Sequence, residues 1–443
     1  MDISYILDNY EKYGQMLKKR FIKTELLEQI KEYHKLYVAE VHIYNKLGQL
    51  KNKLVSAIRQ NKHDGITQFP ENTFNENTTH ETILSYMNSD LILYSKTDLI
   101  EMGKILKVIT AAKQKSMNDL FVIRNEYVYK MPNLLDDRVV ISNNEEHNPC
   151  LKTYIHDSTQ TQNLPFDQYQ LCLKLGIIED ASMIAGNRGY FLTGAGVRLN
   201  YALINYALDF VSKKGYKLMY TPHFMNKTNM ANVCQLSEFE DSLYELKDDN
   251  KFLIATSEQP LTSYFENKTV TGLPIRLAGI STCYRKEASA HGKDTLGIFR
   301  VHQFEKVEQF CVTDNKTSNV TMDDMIEVAQ EFYESLGLSY RVISIVSGAL
   351  NNAASIKYDL EGWFAGSGKF RELVSCSNTT DYFSRRLSTK QSNGEHVHML
   401  NSTLCANTRT LCCILETYQT DTGVAIPKVL QKYMNDEIIE FVI

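Results

Sequence analysis

Two short stretches carry side chains whose types and spacing suit chemistry on a nucleotide and on an amine. In the first, Arg285 and Glu287 stand two residues apart, and Arg300, His302 and Phe304 follow at the same period after a polar loop, Ala288–Thr295. On strands, residues i and i+2 share a face, so a hairpin would gather these groups on one surface. A guanidinium there suits phosphate oxygens, a carboxylate an exocyclic amine, and a ring the plane of a base. Charges pairing across a solvated hairpin would give the same letters. In the second stretch, Thr256-Ser-Glu258 follows the apolar run Phe252–Ala255. A carboxylate and a hydroxyl on one strand face can receive and orient an ammonium group, although Thr or Ser before Glu also marks the start of a helix. A third stretch, Gly362–Lys369, imitates a phosphate loop and fails as one: its first glycine stands one position too far from Gly368-Lys369, and Phe370 replaces the required Ser or Thr.

The elements that must position these groups are legible around them. Residues 195–214 predict a helix with Val197, Leu199, Ala202, Leu203, Tyr206 and Phe210 inward, ended by Gly215 and followed by a strand that Pro222 interrupts. Phe370–Ser375 reads as a strand. His398–Glu416 reads as strand, turn and helix, with Arg409 on the helix. Upstream, apolar residues recur every three or four positions from Leu27 to Ile58 and again from Leu99 to Val128, separated by a polar tip over 61–80. Neither helix can bury its stripe alone, so the two are expected to pack antiparallel as an arm. A plain dimerisation coiled coil would show the same pattern. Residues 133–180 lack a clear period and read as a linker with approach strands.

Taken together, these stretches resemble the three motifs of the class II aminoacyl-tRNA synthetases: motif 1 near 214–222, motif 2 near 284–308 and motif 3 near 398–416. The wording Phe299-Arg-Val-His-Gln-Phe-Glu-Lys-Val-Glu308 is similar to that of the eukaryotic cytosolic seryl-tRNA synthetases. Motif 3 departs from the class pattern, with Asn401, Ser402, Cys405 and Ala406 where a glycine-rich turn is usual, and leaves Arg409 as its dependable element. The resemblance implies an α+β fold, an antiparallel sheet flanked by helices and preceded by a long N-terminal antiparallel helical hairpin, assembled as a homodimer. It implies ATP held by Arg285, Glu287, Arg300, Val301 and Phe304, with Arg409 above Phe304 and Mg²⁺ on Glu372 and Ser375. L-serine would meet Arg285 at its carboxylate, Thr256 and Glu258 at its ammonium, and Glu308, Asn401 and Thr403 at its hydroxyl. Arg285 and Arg409 would be the catalytic cations. An inactive synthetase-like paralogue, serving as an RNA-binding or scaffold protein, is the competing expectation.

Bulk properties agree with a soluble enzyme and exclude several other classes. Apolar residues make up 43% of the 443 and charged ones 23%, which is globular rather than disordered. Met1-Asp-Ile-Ser lacks the basic start of a signal peptide and no apolar run reaches eighteen residues, so the cytoplasm is expected and a membrane is not. Nine cysteines without a CxxC predict reduced thiols rather than a disulfide framework. His396-Val-His398 has no further Cys or His nearby, which argues against zinc. The net charge of −5 hides an asymmetry: residues 1–130 carry 19 basic and 16 acidic side chains. The division expected is an arm over 1–132 and a catalytic domain over 133–443. Lys35, Lys46, Lys51, Lys53, Arg59 and Lys62 on the arm suit a phosphate backbone, and the resemblance implies the long variable arm of a serine tRNA as their partner.

Overall fold

The computed structural model describes residues 2–60, 75, 77–157, 163–234, 242–287 and 296–442. Two compact units emerge, residues 24–131 and residues 1–23 with 132–443. The smaller unit contains two long helices, α3 (Glu25–Gln60) and α4 (Lys96–Lys130). Their register is antiparallel: Tyr33 stacks on Tyr127 at 5.3 Å, Tyr37 meets Phe121 at 5.8 Å, and Lys113 pairs with Glu40 at 3.1 Å. Leu47, Leu50 and Leu54 bury against Leu99 and Met102 as three-and-four spacing predicts, while Ala57 and Leu106 are more buried than the expected Ile58 and Ile105 beside them. Ser95 caps α4 by accepting from the Asp98 amide at 3.1 Å. Most of the expected polar tip, residues 61–74 and 76, lies outside the described residues, and Lys62 with it.

The N-terminal boundary differs from the expectation. Helices α1 (Ile3–Asp8) and α2 (Tyr10–Lys19) belong to the larger unit, not to the arm. Ile6, Tyr13, Met16 and Leu17 are buried, a segment too short for its period to say which partner covers it.

The larger unit is built on an eight-stranded sheet. Its strands are β1 (Cys150–Tyr154), β2 (Lys217–Tyr220), β3 (Ile275–Tyr284), β4 (Gln303–Thr313), β5 (Tyr340–Ser344), β6 (Ile356–Phe364), β7 (Lys369–Asn378) and β8 (His398–Ala406). Their order is β1-β5-β6-β7-β8-β4-β3-β2. Every neighbouring pair is antiparallel except β2 on β3, so the expected antiparallel sheet is mixed at one edge. The stretch read as a linker with approach strands supplies β1 at the other edge. Helices α5 (Gly194–Lys213), α7 (Ser318–Ser335) and α9 (Asn407–Thr417) cover one face, and α6 (Glu258–Ser263) and α8 (Tyr382–Arg386) lie elsewhere around the sheet. Strand alternation divides the work: Val307, Leu400 and Leu404 enter the core with Leu203, Met325 and Ile414, while Lys306 and Glu308 face away from it into a cleft.

Candidate active site

The cleft is lined by β4, β7 and β8, the connection between β3 and β4, Thr256 and the first residue of α6, the turn after β5 and the first turn of α9. Arg285, Glu287, Arg300, Val301 and Phe304 line it, as do Glu372, Ser375 and Arg409. So do Thr256, Glu258, Glu308, Asn401 and Thr403. Apart from His302, the residues of these stretches singled out for chemistry are therefore brought to one cavity, from positions as far apart as Thr256 and Arg409.

Local irregularities make that convergence possible. Glu372 and Ser375 are three apart and would face opposite sides of a regular strand. The register of β7 against β6 shifts between Val374, opposite Leu360, and Glu372, opposite Glu361. Leu373 is the extra residue, and the bulge returns Glu372 to the face of Ser375. The same device acts in β8: Val307 opposes Cys405 but Glu308 opposes Thr403, so Leu404 is inserted and both Thr403 and Ala406 reach the cleft. Thr256 and Glu258 do not share a strand face as expected. The strand before them ends at Leu253, Glu258 is the first residue of α6, and the Thr256 hydroxyl accepts from the Glu258 amide at 3.3 Å.

Motif 2 also departs from simple alternation. β3 stops at Tyr284 and β4 starts at Gln303, so Arg285, Glu287, Arg300 and His302 lie beyond the ladder. The Arg285 amide still donates to the His302 carbonyl at 2.9 Å, whereas Glu287 turns into the left-handed region, φ 51°. The His302 ring is turned to the Arg285 carbonyl and against Tyr244. Residues 288–295 lie outside the described residues.

On the side assigned to the amino acid, the polar groups are joined to one another. Asn401 Nδ2 donates to Glu258 Oε1 at 2.9 Å, and Lys306 Nζ donates to Thr256 Oγ1 at 2.7 Å while ion-pairing with Glu308. The Lys306 and Glu308 side chains are only 7% and 2% exposed, so the pair sits in low dielectric where removal of either leaves an expensive lone charge. Sequence reasoning missed Lys306. Its signal was present, since it stands between Phe304 and Glu308 at the same period of two.

On the nucleotide side, arginines meet acids and rings. Arg300 lies 3.7 Å from Glu287, and Arg409 lies 3.7 Å from Glu372. The Arg285 guanidinium stands over Phe304 at 5.3 Å. Arg409 stands over Phe299 at 5.3 Å, and Arg371 covers the same ring at 4.6 Å. Phe299, a second cleft ring, was overlooked because it falls outside the alternation of Arg300 and Phe304. Glu372 remains 45% open to the cleft. Its protein surroundings push its carboxyl up, but Arg409, then Lys357, Arg285 and Lys306, outweigh that and hold it below its ordinary value. An ionised carboxylate and a hydroxyl on one strand face fit a hard cation that completes its shell with phosphate oxygens and water. No cluster of three or more His, Cys, Asp or Glu side chains arranged to hold a metal occurs among the described residues.

On the arm, Lys35, Lys46, Lys51, Lys53 and Arg59 are exposed. Separations of eleven and seven place Lys35, Lys46 and Lys53 along one line of α3, while Lys51 and Arg59 point elsewhere. Lys53 has an internal task as well, donating to the carbonyls of Met87 at 2.8 Å and Ser89 at 2.7 Å.

Comparison with known proteins bears on this geometry. The tRNA synthetase class II core domain (G, H, P, S and T) matches residues 239–418. The chain is 44% identical over 359 residues to the cytoplasmic serine–tRNA ligase of Dictyostelium discoideum, covering 79% of this chain and 80% of that one. To the cytoplasmic serine–tRNA ligase of Mus musculus it is 41% identical over 427 residues, 90% and 82% of the two chains. A crystal structure of the cytoplasmic serine–tRNA ligase from Naegleria fowleri in complex with AMP aligns with a TM-score of 0.78 at 38% identity, over 100% of this chain and 99% of that one. The seryl-tRNA synthetase from Pyrococcus horikoshii complexed with ATP aligns at 0.80 and 30% identity over 100% of both.

Proposed function

The chain belongs to the serine–tRNA ligases, and from that membership we propose how its cleft activates L-serine with ATP and passes the seryl group to the 3′ end of serine tRNA. The observation that carries this reading is the convergence of the serine and nucleotide groups in one cavity. An inactive synthetase-like protein is not favoured, because each arginine and acid assigned to the chemistry is present there. The names of the relatives place the work in the cytoplasm.

In the first step a serine carboxylate oxygen attacks the α-phosphorus of ATP, and the bond to pyrophosphate breaks. No side-chain nucleophile takes part, so catalysis is positioning and charge neutralisation. Arg285 bridges the serine carboxylate and the α-phosphate, and Arg300 and Arg409 serve the outer phosphates. Phe304 is the platform for adenine and Glu287 accepts from its amine. Thr256 and Glu258 receive the ammonium group, and Glu308, with Asn401 and Thr403, receives the hydroxyl. A buried carboxylate left unpaired by alanine or glycine penalises both. Glu372 and Ser375 would hold Mg²⁺, which supplies charge neutralisation on the phosphates when bound. In the second step the ribose hydroxyl at the tRNA 3′ end takes the seryl group, and AMP leaves. The arm is the element that holds the tRNA.

The protein also forms a homodimer in this reading. β2 ends the sheet with an open edge, and Leu218, Tyr220, Phe224 and Tyr264 are 43%, 75%, 50% and 52% exposed beside it. Such an edge is a ready surface for a second copy. Serine-stimulated exchange of pyrophosphate into ATP tests the enzymatic reading, and its absence in folded protein would refute it.

A further inference from the structure

One wall of the cleft is a turn rather than a strand. After β5 the chain makes the turn Asn351–Ala354, and Asn351 and Ala353 line both the main cleft and a side cavity that shares Thr256 and Glu258 with it. The Asn351 side chain accepts from the amides of Ala353 at 3.1 Å and Ala354 at 2.9 Å, which shapes the turn without engaging its carbonyls. All four carbonyls are held from elsewhere. Asn133 donates its amide to the Asn352 carbonyl at 2.7 Å and its carboxamide to the Ala353 carbonyl at 2.9 Å. Arg20 supplies the other two, donating through Nη1 to the Asn351 carbonyl at 3.1 Å and through Nη2 to the Ala354 carbonyl.

Arg20 lies at the end of α2 and is 3% exposed. Burial pushes its guanidinium down only to about 10, so it is charged at neutral pH. Its segment is anchored on both sides of the turn. Ser347 Oγ donates to the Lys19 carbonyl at 2.6 Å, and the Tyr5 ring lies under the Arg385 guanidinium at 3.6 Å. Arg385 belongs to α8, whose Tyr382, Phe383 and Arg386 line the side cavity.

From this arrangement we propose that the N-terminal segment 2–23 is part of the serine-activating apparatus and that Arg20 is a positioning residue, fixing Asn351 and Ala353 against the pocket for the amino acid. A guanidinium is suited to this because its rigid fork serves two carbonyls at once, which a lysine cannot do in the same geometry. The inference rests on the reading of the cleft as a serine-activating site.

The test is serine-dependent ATP–pyrophosphate exchange by the intact chain and its Arg20→Met and Arg20→Lys variants, together with hydrogen exchange of the backbone amides. The expected result for Arg20→Met is a KM for serine raised about tenfold or more, the KM for ATP and kcat within about twofold, and faster exchange at Ala353 and Ala354 while β6 and β7 keep their protection; Arg20→Lys should fall between. A lowered kcat with unchanged KM for serine, or unaltered protection of the turn, would overturn the proposal. If Arg20→Met does not fold, Ser347→Ala gives the same two readouts, with a smaller shift in the same direction expected and none overturning it. Failure of the unaltered chain to exchange pyrophosphate would instead refute the serine reading, and the hydrogen-exchange arm still decides whether Arg20 fixes the turn.

Discussion

Specificity for a three-carbon amino acid comes down to how its hydroxyl is met, and the group proposed to meet it, Glu308, sits nearly dry with Lys306 as its counter-charge. Glu308→Ala should lower the preference for serine over alanine by about 10²-fold, read as the ratio of kcat/KM values in exchange. Unchanged discrimination would remove Glu308 from that role. Lys306→Met should be worse for the fold than its conservative size suggests. It strands a buried carboxylate, at a cost of about 3–5 kcal/mol in denaturant unfolding, unless Glu308→Gln restores most of the loss. Arg285 is different in kind. Its guanidinium faces Phe304 and the cleft and, among the described residues, makes one hydrogen bond, to the Ala255 carbonyl at 3.3 Å, so Arg285→Ala should leave the melting temperature nearly unchanged. Adenylate formation should fall by about 10²–10³-fold.

Among the elements, the arm and the sheet separate by how their residues could be read. Long helices announce themselves by period, and Leu47, Leu50 and Leu54 against Leu99 and Met102 are where spacing puts them. The bulges at Leu373 and Leu404 have no such signature, because a single inserted residue leaves the composition of a strand untouched. Glu372, Ser375 and Thr403 were reached through resemblance, and their common facing is explained only by the register. Helices α1 and α2 were misplaced for a related reason: a buried tyrosine or leucine does not say what buries it.

The boundary has a consequence for truncation. Replacing residues 24–130 by a flexible linker should keep serine-dependent exchange within a few-fold of normal and nearly abolish tRNA charging, since α3 runs about 54 Å at 1.5 Å per residue and is the element proposed to hold the tRNA. Removing residues 1–131 should also raise the KM for serine, because Arg20 goes with them. Equal behaviour of the two truncations would contradict the placement of α1 and α2 in the activating unit. On the arm itself, Lys35→Ala with Lys46→Ala should weaken tRNA binding and flatten its salt dependence; Lys53→Ala should in addition loosen the Met87–Ser89 turn.

For the molecule as a whole, the claims are assembly and turnover. Tyr220, three-quarters exposed on the edge strand β2, is the natural place to break a symmetric contact. Tyr220→Arg should convert a particle of twice the chain mass into monomers by light scattering, whereas a chain already monomeric would contradict the dimer. The central claim is that this cleft activates serine and no other common amino acid. The most direct measurement is exchange of labelled pyrophosphate into ATP by the intact chain, with serine, alanine, glycine and threonine supplied one at a time. Exchange stimulated by serine alone and lowered about 10²–10³-fold by Arg285→Ala is the predicted result; folded protein with no serine-stimulated exchange, equal stimulation by alanine, glycine or threonine, or exchange that Arg285→Ala leaves intact would contradict it.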